Sequence, residues 1–248
     1  MSEKQCVKIR FLGTSHGLPE KDRFCSSAIV ESGGERYMID AGAPVVALCI
    51  RAGIDPQFIR ACFVTHMHGD HANGLLELGD YINYFRNKGP VPSVFLPEQA
   101  GVDAMVAWIK VVGGGIRRLP EIRAYEAGQV FSENGFSLEA RPSDHLKGRP
   151  AYSFAVTAGQ KRILFSGDIS GDMTEFLAHA LKEKWDAVVV EAAHNDLDVS
   201  AEKLCGLDTG LLIVNHFSPK RNGEKFEILR SRVPFACELA RDGSVFEL

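Results

Sequence analysis

The stretch Thr65-His66-Met67-His68-Gly69-Asp70-His71 decides how the chain is read. It follows Ala61-Cys62-Phe63-Val64, a short apolar run that predicts a buried strand, so the histidines begin where a strand ends. His66 and His68 are two apart, and in extended chain leaving a strand they point the same way. Asp70 and His71 follow in a turn that opens a helix, and Gly69 permits the backbone to reverse there. One loop can thus offer two imidazoles to one metal ion, and a carboxylate plus an imidazole to a second. Histidine makes up only 8 of 248 residues, so three within one short loop is poorly explained by chance or by a solvated surface patch. Imidazole and carboxylate ligands suit zinc first, and also manganese or iron.

Four loop residues cannot complete two metal sites, so further ligands are expected, each just after a strand. Three places fit. Ser143-Asp144-His145 follows an expected strand at 136–140, Ser166-Gly167-Asp168 follows one at 162–165, and Asn215-His216 follows one at 211–214. Strand ends are where α/β sheets place their ligand sites. Alternation and turn residues predict further strands at 6–12, 27–30, 36–39, 122–125, 152–157 and 187–190. Helices are expected over 44–52, 74–86, 97–112 and 172–183, with Asp55-Pro56 as another helix start. Strands cluster in both halves with helices between them. This predicts an α/β fold of two sheets packed face to face with helices outside, in one domain over 1–248.

Charge and composition narrow the function. Lys plus Arg total 28 and Asp plus Glu 32, a net charge of −4, which argues against a surface that grips long nucleic acid. No apolar run approaches the roughly 18 residues that span a bilayer, and the N-terminal residues show no signal-peptide core. The six cysteines are scattered and form no CxxC pair. The expectation is a soluble cytoplasmic protein with reduced thiols and no membrane partner.

The cluster at 65–71 resembles the HxHxDH signature of the metallo-β-lactamase superfamily, and the segments around His145, Asp168 and His216 resemble its later motifs in order. Phe11-Leu12-Gly13-Thr14-Ser15 resembles the opening strand and loop of the ribonuclease Z branch, and Ile39-Asp40-Ala41-Gly42 the superfamily's early Asp-containing turn. The resemblance spans roughly 11–218. It implies a metallo-β-lactamase fold, a four-layer αββα sandwich of two mixed sheets. It also implies two divalent metal ions. His66, His68 and His145 would hold the first, Asp70, His71 and His216 the second, and Asp168 would bridge them. A water or hydroxide between the ions would be the nucleophile, with Asp70 counted as catalytic too. Asp40 would orient a ligand from behind.

The superfamily hydrolyses β-lactams, thioesters, lactones and phosphodiesters, and its redox members replace the second His of the signature by Glu. This chain keeps His68, which implies hydrolysis. His216-Phe217-Ser218 resembles the ending common in phosphodiesterase members. Glu191-Ala192-Ala193-His194 falls where ribonuclease Z has a Glu-Ala-Thr segment, and the cyclic phosphodiesterase of bacterial phosphonate breakdown has a His near His194. That likeness makes His194 a candidate to protonate the leaving oxygen, with Glu191 able to orient it.

Two departures from ribonuclease Z matter: its tRNA-clamping arm has no room between His145 and Asp168, and its His-Ser-Thr motif is missing. The phosphonate-pathway enzyme's structural-zinc cysteines are also missing, with Cys25 alone in that stretch. The reading is therefore a phosphodiesterase on small or cyclic phosphate esters. The alternatives are a lactone or thioester hydrolase, or a non-catalytic metal-dependent sensor. His16 and Ser218 are candidate substrate contacts, and a homodimer is allowed, since relatives often form one. Lys147 and Arg149 read as ordinary surface charge, His179 as exposed, and Phe85, Trp108 and Phe176 as core.

Overall fold

The computed structural model describes residues 6–84, 90–112 and 115–248. The first strands in the chain are β1 (Lys8–Gly13), β2 (Ser27–Ser32), β3 (Glu35–Ile39), β4 (Ala61–Phe63), β5 (Ser93–Leu96) and β6 (Glu121–Ala124). Then come β7 (Gly128–Glu133), β8 (Phe136–Pro142), β9 (Tyr152–Ala158) and β10 (Lys161–Phe165). The rest are β11 (Lys184–Trp185), β12 (Ala187–Glu191), β13 (Asp208–Thr209), β14 (Leu211–Asn215), β15 (Ala236–Leu239) and β16 (Val245–Glu247). Among the described residues, one sheet has the order β16-β1-β2-β3-β4-β5-β6 and the other β15-β14-β12-β10-β9-β8-β7, while β11 and β13 form a small ribbon. The helices are α1 (Val45–Arg51), α2 (Gly69–Ala72), α3 (Gly74–Tyr84), α4 (Gln99–Val112), α5 (Thr174–Ala180), α6 (Leu197–Leu204) and α7 (Pro219–Arg232).

Three buried clusters separate four layers, αββα. Between the sheets lie Phe11, Tyr37, Phe63, Phe136, Phe154 and Val189. The outer face of the first sheet packs Met38, Cys62 and Val94 against Leu48 of α1, Leu78 of α3 and Met105 of α4. The outer face of the second packs Leu164, Val188 and Leu212 against Phe176 of α5, Leu204 of α6 and Phe226 of α7. Strands covered on both faces need apolar residues at every position, which is why 187–190 reads as a continuous run. Within it Ala187 and Val189 face the other sheet, and Val188 and Val190 face the helices.

Most expected elements form near their expected bounds, with instructive differences. The helix expected from 97 starts at Gln99, because β5 occupies the residues just before it. That strand carries no expectation in the sequence. The helix expected over 172–183 closes at Ala180 before the chain enters β11. Asp55-Pro56 opens only a short 3₁₀ turn, Pro56–Phe58, with Asp55 accepting the Gln57 N–H at 3.0 Å. Trp108 corrects a core expectation: it is 48% exposed. The buried stripe of α4 is Val102, Met105 and Ile109, and Trp108 sits one residue before Ile109, about 100° round the helix. Phe176 is buried as expected, whereas Phe85 and Arg86, the end of the helix expected over 74–86, lie outside the described residues. His179 is half-buried. Among the described residues, no helix is long and apolar enough to cross a membrane.

The topology points six strand ends at one place. β3 and β4 are parallel neighbours in the first sheet. In the second, β10, β12 and β14 are parallel, and β8 runs with them because β9 is antiparallel to both β8 and β10. Their C-terminal ends deliver Asp40, Thr65-His66, His145, Asp168, Glu191 and His216 to the same end of the sandwich.

Candidate metal centre

The site is built around Asp168, a buried carboxylate at the end of β10. Its Oδ2 lies 3.6 Å from His66 Nε2, 3.7 Å from His145 Nε2 and 3.5 Å from His216 Nε2, and its Oδ1 lies 3.3 Å from His71 Nε2. Asp70 Oδ2 is 3.5 Å from His71 Nε2 and 3.6 Å from His216 Nε2. His145 Nε2 and His68 Nδ1 approach to 3.3 Å. The seven residues expected as ligands therefore converge. Their donor atoms fall into two groups, His66, His68, His145 and Asp168 on one side, Asp70, His71 and His216 on the other, with atoms in each group within 4.8 Å of one another.

The donor chemistry fits divalent ions. His66 Nε2, His71 Nε2 and Asp168 Oδ1 are buried and have no hydrogen-bond partner among the described residues. Buried polar atoms are costly to leave so. Two atoms each about 2.1 Å from a shared tetrahedral ion lie about 3.4 Å apart, which is the spacing found around Asp168.

The electrostatic settings of the rings differ. Burial, with the neighbouring His71, holds the His66 imidazole far below its usual range and so neutral, as a ligand must be. Burial also lowers His145. Burial opposes charge on His71 as well, but Asp168 and Asp40 overcome it and raise that ring well above the usual value. Burial would raise Asp168, yet His216 and His71 hold it well below the carboxylate range.

Asp40 braces the centre from behind. It accepts the Thr65 N–H on Oδ1 at 2.8 Å and pairs Oδ2 with His71 Nδ1 at 2.8 Å. That bond fixes which ring nitrogen of His71 faces the site. Thr65 Oγ1 lies 3.0 Å from Asp40 Oδ1 and 3.0 Å from His66 Nδ1, linking the brace to the next imidazole. Thr65 carries no expectation as a site residue in the sequence, although its place between a buried strand and the first His is a usable signal. Asp40 and His216 both adopt left-handed backbone, with φ of 57° and 51°. Gly167 is also left-handed, and a Cβ there would come within 2.5 Å of the Tyr152 carbonyl oxygen, so the turn before Asp168 requires glycine.

His194 stands at the rim with its side chain 40% exposed. Its Nδ1 lies 3.2 Å from Glu191 Oε1 and 3.6 Å from Asp168 Oδ2. Glu191 is 3% exposed and also accepts the backbone N–H groups of His194 at 3.0 Å and Ile169 at 3.4 Å. The hydrogen bond that His194 donates to Glu191 raises the imidazole's pKa from its usual value, against the effect of burial. The His145 loop is tied to the Asp168 loop, Ser143 Oγ donating to the Asp168 carbonyl at 2.7 Å and Ser170 Oγ to Asp144 Oδ2 at 2.7 Å.

Two weaker candidates are engaged with other partners. His16 Nε2 pairs with Glu20 at 3.1 Å, though the adjacent Gly17 N–H reaches Asp70 Oδ2 at 3.1 Å. Ser218 is buried where α7 begins, its N–H donating to Asn222 Oδ1 at 3.2 Å. Arg149 is paired with Glu98 as surface charge.

The four-layer sandwich with this His/Asp cluster at its joined strand ends is the metallo-β-lactamase fold, and the chain is similar to ribonuclease Z and PhnP-family proteins. The profile of the family described as "Anti-Pycsar protein Apyc1" matches residues 7–207, and the chain belongs to that family. Among curated proteins, ribonuclease Z of Geobacillus kaustophilus is 29% identical over 247 residues, covering 96% of this chain and 74% of the relative. Ribonuclease Z of Mycobacterium bovis is 26% identical over 180 residues, and the match spans 65% of this chain and 62% of that protein's own length. Similar solved structures include the metallo-β-lactamase fold protein YhfI from Bacillus subtilis, with a TM-score of 0.79, 16% identity and coverage of 98% of this chain and 100% of the other. Human tRNase Z, short form, gives 0.76 at 19% identity, covering 96% and 98%. A diphosphatase from the PhnP family gives 0.71 at 20% identity, covering 98% of each.

Proposed function

We propose that the chain is a metal-dependent phosphodiesterase acting on small or cyclic phosphate esters. The observation that carries this reading is the Glu191–His194 pair at the open rim of seven converging donors. A buried carboxylate holds His194 by Nδ1 and favours the charged ring, which would leave the Nε2 proton for a leaving oxygen. In this reading His66, His68 and His145 would hold one ion, Asp70, His71 and His216 a second, and Asp168 would serve both. Zinc suits these donors first, then manganese or iron. Bound ions would supply Lewis acidity and lower the pKa of water. The chain's own residues do the rest. Asp40 keeps His71 turned to the site, Asp70 takes up the proton of the attacking water, and His194 protonates the departing alkoxide.

A small substrate is supported by the connection from His145 to Asp168. It holds β9, β10 and short turns, with no arm long enough to clamp an RNA. The net charge of −4 points the same way. The test is a screen of metal-loaded protein on bis-p-nitrophenyl phosphate, five- and six-membered cyclic phosphate diesters, precursor tRNA, lactones and thioesters, with metal content measured on the same sample. Turnover of the small phosphodiesters is expected. No phosphodiester turnover with zinc or manganese, beside clear lactone or thioester hydrolysis, would overturn the reading.

A further inference from the structure

The loop between β1 and β2 grips the Asp70/His71/His216 trio at two points. Gly17 donates its N–H to Asp70 Oδ2 at 3.1 Å. Nearer the start of the loop, the Thr14 carbonyl accepts the N–H of Phe217 at 3.0 Å, and Phe217 directly follows His216. His216 needs such a hold, because a non-glycine residue keeps left-handed backbone only where its surroundings fix it.

Arg23 ties these points together. It is 5% exposed. Its Nη1 donates to Thr14 Oγ1 at 2.7 Å and to the Ala240 carbonyl at 2.9 Å. The guanidinium carbon stands 5.1 Å from the centroid of the Phe217 ring. Thr14 Oγ1 donates onward to Asp242 Oδ1 at 2.6 Å, and Asp242 Oδ2 accepts the Phe24 N–H at 2.6 Å. Ala240 in turn donates its N–H to the Val214 carbonyl at 2.9 Å, two residues before His216. One planar guanidinium thus touches the loop, the residue after His216, and the segment paired with the strand before it. A lysine ammonium cannot both fork its donors and stack in this way.

We propose that Arg23 is a positioning residue for this trio: it fixes where His216 and Asp70 sit, and so sets that half's affinity for a metal ion without touching the ion. This rests on the two-ion reading above. The other trio draws its supports from Thr65 and from the His68–His145 approach, and its affinity is expected to stand.

The test titrates zinc, and separately manganese, into the metal-stripped full chain. Bound ions are counted by mass spectrometry and folding is checked by circular dichroism. The wild type is expected to take two ions. Arg23→Gln and Arg23→Lys should keep the first and bind the second about 10-fold more weakly or worse. Their kcat should recover in excess metal, with KM little changed. Thr14→Val keeps the carbonyl but loses the hydroxyl link, and should show the same selective weakening to a smaller degree. It decides the matter if the Arg23 variants do not fold. Folded variants that bind both ions like the wild type, or lose both equally, overturn the proposal alone. A wild type that takes up fewer than two ions overturns the two-ion reading, and the proposal falls with it.

Discussion

The His66/His68/His145 trio and the Asp70/His71/His216 trio share a carboxylate, yet they are braced differently. In the first, two rings come from one loop and His66 leans on its own neighbour Thr65. His68 and His145 are only half-buried. In the second, His71 and His216 are buried, and support comes from far along the chain, from Asp40 on β3's end and from the loop after β1. The difference teaches that both trios need a ring from a distant strand end, His145 in one and His216 in the other, but that only the second is also gripped directly by Asp40 and by the loop after β1. It also predicts unequal behaviour under substitution.

Breaking the shared carboxylate should have the largest effect. Asp168→Ala removes the group common to both trios, so turnover should fall to background, and metal counting should show a loss in both halves. One ion retained at full affinity would show that the halves do not depend on a bridge. His194→Ala should come next, with kcat down by about 10²–10⁴-fold on a substrate with a poor leaving group and little change on a p-nitrophenyl ester. Its metal content should equal the wild type's. A lost ion would instead make His194 a ligand, since its nitrogen also lies near Asp168 and His216.

Asp40→Asn should weaken metal binding by about 10–100-fold. The loss should fall chiefly on the Asp70/His71/His216 half, and titration calorimetry would resolve it. Equal loss from both halves would erase the contrast drawn above. Thr65→Val should be the mildest. It removes the hydroxyl contacts to Asp40 and His66 but keeps the backbone bond, so thermal unfolding should show a loss of about 1 kcal/mol. Any metal weakening should fall on the His66 side.

Much of this was legible in the sequence, and the contrast between trios explains where legibility stopped. The cluster at 65–71 and the strand ends before His145, Asp168 and His216 could be read because ligand type and strand periodicity coincide there. The outer layer on the first sheet followed from the apolar stripes of α3 and α4, and part of the layer on the second from α5. The segments beyond Ser218 carried no expectation. In α7 only Asn222, Phe226 and Leu229 are buried within a largely charged helix, so its apolar period is faint. β15 and β16 are short edge strands at the sheet margins. Trp108 misled because aromatic character says inside, while its angular position on α4 says flank. Contacts such as Gly17 to Asp70 and Arg23 to Phe217 join residues 53 and 194 positions apart. A backbone N–H or one arginine among many carries no pattern that announces such a partner.

Asp40 and His216 hold left-handed backbone at the two places where the buried trio is anchored. For residues with a side chain that geometry costs about 1–2 kcal/mol each. Foldedness and chemistry therefore pull in opposite directions at these positions. A library of this chain sorted only for resistance to heat or protease should drift towards glycine or asparagine at 40 and 216, yielding sturdier proteins that do nothing. Sorted for metal retention instead, the same library should keep both residues and seek its stability elsewhere.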